Sequence, residues 1–411
     1  MAALQVEVQP DEVGFDAKRL ARLDRHFARY VDDGLLPGWL VLVSRGDRIV
    51  HLSAYGRRDL EADLPVEVDT RFRIFSMTKP ITSVAAMMLY EEGAFQLKDP
   101  VSKFIPSFEN VRVYRSGSAL APDTLPATEP VRVWHLLTHT SGLTYGWHYA
   151  SPVDGMYRAA GFEWTTPAGM DLAACCDAWA GIPLLFEPGT EWNYSVSSDV
   201  LGRVVEVASG QSLDRFFAER IFEPLGMTDT AFWIAGDAAK NLAALYVPTP
   251  GTRRAMRYDV LGDTALRPPE ALFGGHGLIS TAADYHRFTR MLLGGGELEG
   301  SRLLGTRTLR YMTRNHLPGG VDLERFGRPL FSETTFDGVG FGLGFSVVID
   351  PVAGKVPSSL GEFAWGGAAS TAFWVDPVER ITAIFLTQLM PSSTHPLRPQ
   401  LRQLVYQALV D

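Results

Sequence analysis

The sequence is most informative at residues 75–80, which read Phe75-Ser76-Met77-Thr78-Lys79-Pro80. Lys79 is one of only six lysines in 411 residues, whereas arginine supplies the other 32 of the 38 basic side chains. A lysine one helical turn after a serine lies on the same face of a helix and can activate the serine hydroxyl. Lysine can lose its proton when it is desolvated, and arginine in practice cannot. The pattern therefore predicts that Ser76 is a nucleophile and that Lys79 activates its hydroxyl.

The same residues also fit a serine that caps a helix beside a surface lysine. Short motifs often match by chance, so both interpretations stay open on these residues alone. Pro80 must lie in or next to the first helical turn, because deeper inside it would break the helix. The apolar run that follows predicts a helix to about Glu92, ended by Gly93. The N–H groups at the start of such a helix could stabilise an oxyanion.

Composition indicates a folded protein with one large domain or two modest ones, since 46% of the residues are hydrophobic and 21% are charged. The net charge of −9 argues against nucleic acid or an anionic membrane as a partner. Cys175 and Cys176 are adjacent, which makes them a poor structural disulfide. We see no signal peptide and no transmembrane run, so we expect a cytoplasmic protein, although export stays possible. No cofactor is expected, and the oligomeric state is open.

Strand patterns occur at both ends of the chain, and helical patterns lie between them. The N-terminal part predicts a helix over 15–31, capped by Asp16, and a hairpin of 38–44 with 48–55. The C-terminal part predicts strands over 341–349, 372–375 and 381–387 and a helix over 397–409. Between them, helices are predicted over 197–209, 213–222 and 281–293, and 114–130 is the expected mobile loop.

This order predicts an α+β fold, an α/β sandwich whose antiparallel sheet is built from both termini and flanked by helices. Residues 1–75 and 275–411 would form the sheet domain, and residues 76–274 a mostly helical inserted domain. We expect the active site in the cleft between the two domains.

Two further segments are candidates for the site. Tyr194 could act as a general base, because a cationic lysine nearby would lower the pKa of its phenol; the alternative is a half-buried tyrosine that starts a helix. The glycine pair in Trp365-Gly366-Gly367-Ala368 would let a ligand approach the backbone, so that the N–H of Ala368 could complete an oxyanion hole with that of Ser76. The alternative for the glycines is a β-bulge.

Other catalytic signatures are missing from the sequence. There is no Gly-x-Ser-x-Gly, no phosphate-binding glycine-rich loop and no His-Glu-x-x-His. His135 and His139 lie four residues apart and could bind a metal, but no third ligand is apparent, and a structural role is favoured. We therefore predict no metal.

The set of motifs resembles the serine β-lactamase/penicillin-binding-protein superfamily, and most closely the family VIII carboxylesterases, which share the fold of class C β-lactamases. The resemblance covers nearly the whole chain and rests on Ser76-Met77-Thr78-Lys79, Leu136-Leu137-Thr138-His139-Thr140-Ser141-Gly142-Leu143, Tyr194-Ser195-Val196, Gly274-Gly275-His276-Gly277-Leu278 and Trp365-Gly366-Gly367.

The resemblance implies that Ser76 is acylated and that Lys79 and Tyr194 share its proton, with Tyr194 as the immediate base. It implies an oxyanion hole made by the N–H groups of Ser76 and Ala368. Trp365, Gly366, Gly367 and His276 would then contact the substrate.

Two departures from the class C pattern favour an ester over a lactam. Val196 stands where class C enzymes have an asparagine, and Trp365-Gly366-Gly367 replaces their Lys-Thr-Gly. Tyr145, Trp147 and Tyr149 are expected at the mouth of the cleft, with the core of the helical domain as the alternative. We therefore predict a serine carboxylesterase for small to medium esters. An acyltransferase, or a β-lactamase or D-alanyl peptidase, is the alternative, and a non-catalytic scaffold on the same fold is a more remote one.

Overall fold

A computed structural model describes residues 4–328 and 335–410. The strands in these ranges are β1 (Gly38–Arg45), β2 (Arg48–Asp59), β3 (Leu64–Pro65), β4 (Phe72–Arg73), β5 (Arg112–Gly117), β6 (Pro122–Pro126), β7 (Tyr246–Pro248), β8 (Ala255–Arg257), β9 (Ile279–Ser280), β10 (Glu297–Leu298), β11 (Ser301–Arg302), β12 (Val339–Phe341), β13 (Ser346–Val348), β14 (Phe363–Gly366), β15 (Ala372–Asp376) and β16 (Ile381–Leu386). The α-helices are α1 (Ala17–Leu20), α2 (Arg22–Asp32), α3 (Thr78–Glu91), α4 (Val133–Thr138), α5 (Pro152–Ala159), α6 (Leu172–Ala180), α7 (Ser197–Ser209), α8 (Leu213–Phe217), α9 (Glu223–Leu225), α10 (Asp259–Gly262), α11 (Ala282–Leu293), α12 (Thr306–Met312), α13 (Leu323–Phe326) and α14 (Leu397–Tyr406).

The main sheet joins the two ends of the chain. It has eight strands in the order β12-β13-β14-β15-β16-β1-β2-β3, and all its pairings are antiparallel. Near its centre, β1 pairs with β16, and Leu42 lies opposite Ile384. The predicted α+β fold, with a sheet built from both termini, is confirmed.

The sheet separates two hydrophobic cores, and β1 contributes to both. Leu40 and Leu42 belong to the larger core, which α3 and α11 help to form, whereas Val41 and Val43 belong to the core covered by α1, α2 and α14. Successive side chains of a strand point to opposite faces, so a strand buried on both sides is apolar throughout. This explains the unbroken apolar run of β1.

The segments on either side of the helical region meet in a short ladder. Phe72 of β4 pairs with Ser280 of β9, and Arg73 pairs with Ile279. After β4 the chain makes one short 3₁₀ turn and enters α3, which is buried from Thr78 to Leu89. The division into 1–75 with 275–411 and 76–274 agrees with this ladder but stays a prediction. No helix in the described part of the chain is long and apolar enough to cross a bilayer.

Two local predictions were wrong, and a third was correct except for its exact extent. Most of the expected mobile loop at 114–130 is the hairpin β5–β6, and the Tyr114 N–H donates to the Leu184 carbonyl at 2.8 Å, so contacts distant in sequence fix it. The strand expected over 341–349 is two strands, β12 and β13, joined by a turn in which Gly344 has φ +94°. The helix expected over 15–31 is confirmed, with Asp16 as its N-cap, although it is interrupted at Ala21 and continues to Asp32.

Candidate active site

Ser76 lies in a 3₁₀ turn, Phe75–Met77, that leads straight into α3. The residue before it, Phe75, has φ +45°. The left-handed region costs a non-glycine residue about 1–3 kcal/mol, so the surrounding structure must hold Phe75 there. The turn presents Ser76 to a cleft that it lines together with Tyr194 and Trp365.

Lys79 follows one turn later and is almost completely buried, at 2% exposed. Its Nζ donates to the Ser76 hydroxyl at 3.2 Å, to the Tyr145 hydroxyl at 3.1 Å and to the Gly275 carbonyl at 2.8 Å. These three acceptors match the three N–H donors of an ammonium group. The environment therefore suits a charged lysine, and it excludes the surface lysine of the alternative interpretation.

Tyr145 packs against Lys79 rather than forming the wall of the cleft. It is 8% exposed, and its hydroxyl accepts from Lys79 Nζ. Burial, and then the negative charge of Asp199, raises the pKa of this phenol well above its usual value. Tyr145 therefore stays protonated and neutral. The structure gives it a contact with the lysine, whereas the sequence had suggested a contact with substrate.

Tyr194 lies just before α7, on the other side of the same lysine. Lys79 Nζ is 4.4 Å from the centre of the Tyr194 ring, and Trp365 Nε1 donates to the Tyr194 hydroxyl oxygen at 3.3 Å. Of the two tyrosines around Lys79, Tyr194 is therefore the one that lines the cleft together with Ser76.

The turn after β14 brings Ala368 to the same place as Ser76, and both residues line the cleft. The turn is closed by hydrogen bonds from Gly367 N–H to the Thr371 carbonyl at 2.9 Å and from Ser370 N–H to the Gly367 carbonyl at 3.1 Å. A Cβ at Gly367 would collide with the carbonyl oxygen of Ile74, two residues before Ser76. The missing side chain thus permits close contact between two protein segments, where the sequence had suggested close contact with a ligand.

Aromatic side chains form much of the cleft wall. Trp147 stacks on Trp164 with 5.1 Å between ring centres, and Trp365 meets the edge of Phe341 at 5.3 Å. Tyr149 is 64% exposed, bonds Glu163 and does not line this cleft. The wall beside Ser76 is therefore mostly apolar.

The geometry agrees with the comparison with known proteins. A family model described as Beta-lactamase matches residues 23–407. The chain belongs to the beta-lactamase family. Protein Rv1367c of Mycobacterium tuberculosis is 36% identical over 364 residues, which cover 88% of each chain. Esterase EstB of Burkholderia gladioli is 30% identical over 418 residues, which cover 97% of this chain and 98% of EstB.

A solved structure extends the likeness to the whole fold. EstCE1, described as a hydrolase with promiscuous acyltransferase activity, superposes with a TM-score of 0.79 at 27% identity. The match covers 95% of this chain and 99% of EstCE1. The resemblance inferred from the motifs, and the beta-lactamase-like fold that it implied, are confirmed.

His276 lies beside this beta-lactamase-family site but outside the lining of the cleft. Its ring stacks on Phe273 with 4.8 Å between centres, and its Nδ1 is 3.7 Å from a carboxylate oxygen of Asp199. In the structure His276 therefore contacts Phe273 and Asp199, and it does not lie beside Ser76 as a substrate-binding residue would.

The two histidines of the Leu-Leu-Thr-His-Thr-Ser-Gly-Leu region make separate structural contacts. His135 Nδ1 accepts from the Arg132 N–H at 3.0 Å, and burial lowers its pKa to about 3. His139 packs against Tyr194 at 5.0 Å between ring centres and lies 3.2 Å from the Ser195 hydroxyl. Within residues 4–328 and 335–410, no group of His, Cys, Asp and Glu side chains is arranged to hold a metal.

Sequence reasoning missed Asp199, a buried carboxylate near the lysine. It is 1% exposed, and one of its oxygens accepts from the Gly275 N–H at 2.7 Å, while the Gly275 carbonyl accepts from Lys79. Burial raises the pKa of Asp199 to about 6, and the charge of Lys79 opposes that rise. The available signal was an aspartate five residues after Tyr194, directly before the apolar pair Val200-Leu201 of a predicted helix.

Proposed function

We propose that this protein is a serine carboxylesterase that hydrolyses small to medium carboxylic esters through an acyl-Ser76 intermediate. The observation that carries the proposal is the hydroxyl of Ser76, which lies 3.2 Å from the buried ammonium of Lys79 and in one cleft with Tyr194. A serine activated by a neighbouring base is the arrangement needed for acyl transfer to a hydroxyl.

The roles follow from the contacts around Lys79. Its three N–H donors are engaged, so it does not accept the serine proton and instead stabilises negative charge on Tyr194 and Ser76. Tyr194 takes the proton as Ser76 Oγ attacks the ester carbonyl carbon. The N–H groups of Ser76 and Ala368 bind the resulting oxyanion.

Collapse of this intermediate breaks the bond to the alcohol oxygen, which leaves with the proton held by Tyr194. Water then attacks the acyl-enzyme, gives its proton to Tyr194 and releases the acid, and the proton returns to Ser76. An alcohol in the place of this water gives acyl transfer, which is the close alternative.

The lining of the cleft favours an uncharged ester. Val196 and Trp365 stand where class C enzymes carry polar groups that hold a lactam amide and carboxylate. Trp147 and Trp365 offer an apolar surface to an acyl or alcohol group. The names of EstB, an esterase, and of EstCE1, a hydrolase with acyltransferase activity, support the same chemistry. A cytoplasmic location remains a prediction.

The first test replaces the nucleophile and the base. We expect Ser76→Ala to lower hydrolysis of p-nitrophenyl butyrate by at least about 1000-fold, and Tyr194→Phe to lower kcat by roughly 100- to 10,000-fold. Tyr149→Phe, at an exposed tyrosine outside the cleft, should leave the rate unchanged. Circular dichroism should be the same for all three variants. Near-normal turnover by a folded Ser76→Ala variant would refute the proposed function.

The second test separates the alternatives. Esters of graded acyl length would be supplied with and without an alcohol acceptor, beside a chromogenic cephalosporin. We expect acid as the main product and only weak cephalosporin turnover. A dominant transesterification product would indicate an acyltransferase, and cephalosporin turnover equal to that of esters would indicate a β-lactamase.

A further inference from the structure

We propose that Arg398 is a positioning residue of the oxyanion hole, which holds and polarises the peptide group between Gly367 and Ala368. This inference rests on the proposed function, because it requires the Ala368 N–H to bind an oxyanion. Arg398 belongs to none of the motifs that suggested the site, and 31 residues separate it from Gly367.

The guanidinium of Arg398 donates hydrogen bonds to both ends of the turn between β14 and β15, residues 367–371. Nη2 donates to the Gly367 carbonyl at 2.9 Å and to the Thr371 carbonyl at 3.1 Å. The turn is already closed by two backbone hydrogen bonds, from Gly367 N–H and from Ser370 N–H. The arginine, which lies at the start of α14, therefore adds hydrogen bonds from another element to the two backbone hydrogen bonds of the turn.

The Gly367 carbonyl and the Ala368 N–H belong to the same peptide unit. That carbonyl oxygen accepts from the Ser370 N–H at 3.1 Å and from a cation at 2.9 Å. Hydrogen bonds at one end of a peptide polarise it and strengthen its bonds at the other end, and a charged donor does so most. Arg398 thus makes the Ala368 N–H a stronger donor while an oxyanion develops in the cleft.

The glycine before this peptide gives an independent reason to assign the arginine here. A Cβ at Gly366 would lie 2.5 Å from the Arg398 Cζ. Strand β14 therefore has a glycine, Gly366, at the point where the Arg398 guanidinium packs against it. Gly366 makes room for Arg398, and Gly367 makes room for Ile74 and the segment that carries Ser76.

The test compares Arg398→Met and Arg398→Lys with the wild type. We expect Arg398→Met to lower kcat about 10- to 100-fold with KM nearly unchanged, because complete loss of an oxyanion donor costs roughly 100- to 1000-fold. Affinity for an alkylboronic acid, which mimics the tetrahedral intermediate, should fall by a similar factor. Arg398→Lys, which keeps the charge, should recover part of both effects.

A vibrational measurement separates polarisation from general damage. The carbonyl stretch of the acyl-enzyme, formed with a slowly hydrolysed ester, should move to higher wavenumber in Arg398→Met, because a weaker donor polarises the carbonyl less. Arg215→Met serves as the control, since Arg215 lies on α8 outside the lining of the cleft and bonds Glu219 at 2.7 Å. It should change neither the boronic acid affinity nor the stretch.

Unchanged carbonyl frequency and boronic acid affinity in Arg398→Met would overturn the inference, even if stability and kcat fell. Should Arg398→Met not fold, the same two measurements on Arg398→Lys decide, and wild-type values there would overturn it too. Failure of the proposed function looks different. In that case the wild-type protein forms no acyl-enzyme with any ester, and Ser76→Ala changes nothing.

Discussion

Burial decides how the Ser76–Lys79 pair is to be interpreted. The spacing of the two residues could be predicted to place both on one helix face, but it could not show whether that face met water or protein. Lys79 proves to be 2% exposed and is surrounded by the Ser76 hydroxyl, the Tyr145 hydroxyl and the Gly275 carbonyl. Two of these acceptors are distant in sequence, so no local sequence pattern predicts them.

Lys79→Arg tests whether charge alone is enough at this position. A guanidinium is planar, larger than an ammonium and unable to reach three acceptors arranged around one nitrogen. We expect kcat for p-nitrophenyl butyrate to fall at least about 100-fold, a loss on the scale of general base catalysis. Lys103→Arg, at an exposed lysine paired with Asp99, is the control. A rate near that of the wild type would mean that only the positive charge is needed.

The turn between β14 and β15 illustrates what an element's own sequence can predict. The glycine pair predicted a close approach of a ligand to the backbone, and in the structure two other segments of the protein make that approach. Which groups occupy the space was not predictable, because Arg398 comes from α14 and Ile74 from the segment before α3. Neither is near the turn in sequence, and only the stacking of α14 and α3 on opposite faces of the sheet brings them together.

Gly367→Ala and Gly366→Ala should differ for this reason. The Cβ that Gly367→Ala adds would press on the Ile74 backbone, which cannot move without displacing Ser76, whereas the Cβ that Gly366→Ala adds would meet a flexible arginine. We expect Gly367→Ala to lose more activity and to lower Tm more, by several degrees. Gly181→Ala, where a Cβ meets only ordinary contacts, is the control. Equal losses in the two variants would contradict this explanation.

Two carboxyl groups, buried in helices that pack in the larger hydrophobic core, link the stability of the protein to pH. Asp199 and Asp284 are each 1% exposed. Burial raises the pKa of each from 3.8 to about 6. The folded state therefore holds these protons more tightly than the unfolded state does. The stability that results is complete below pH 3.8 and is lost as pH rises through about 6.

Replacement by asparagine, which resembles the protonated acid, should remove this dependence. Relative to the wild type, Asp199→Asn should gain up to roughly 3 kcal/mol in the free energy of unfolding between pH 4 and 7. Asp284→Asn should behave similarly, although Asp284 lies away from Ser76 and should not alter the pH profile of kcat. Urea unfolding at several pH values measures the effect. Parallel curves for variant and wild type would show that Asp199 does not titrate in this range.

The sequence by itself determined the alternation of strands and helices and the sheet built from both termini, because local geometry fixes the periodicity of buried side chains in each element. The chemical type of the site followed from the resemblance of several motifs, distant from one another in sequence, to a known family. Tertiary structure alone decided that Tyr145 stays protonated beside Lys79, that Asp199 and Gly275 support the lysine, and that Arg398 reaches the turn between β14 and β15. Each of these depends on burial or on contacts between distant segments, and both arise only when the two cores pack against the sheet.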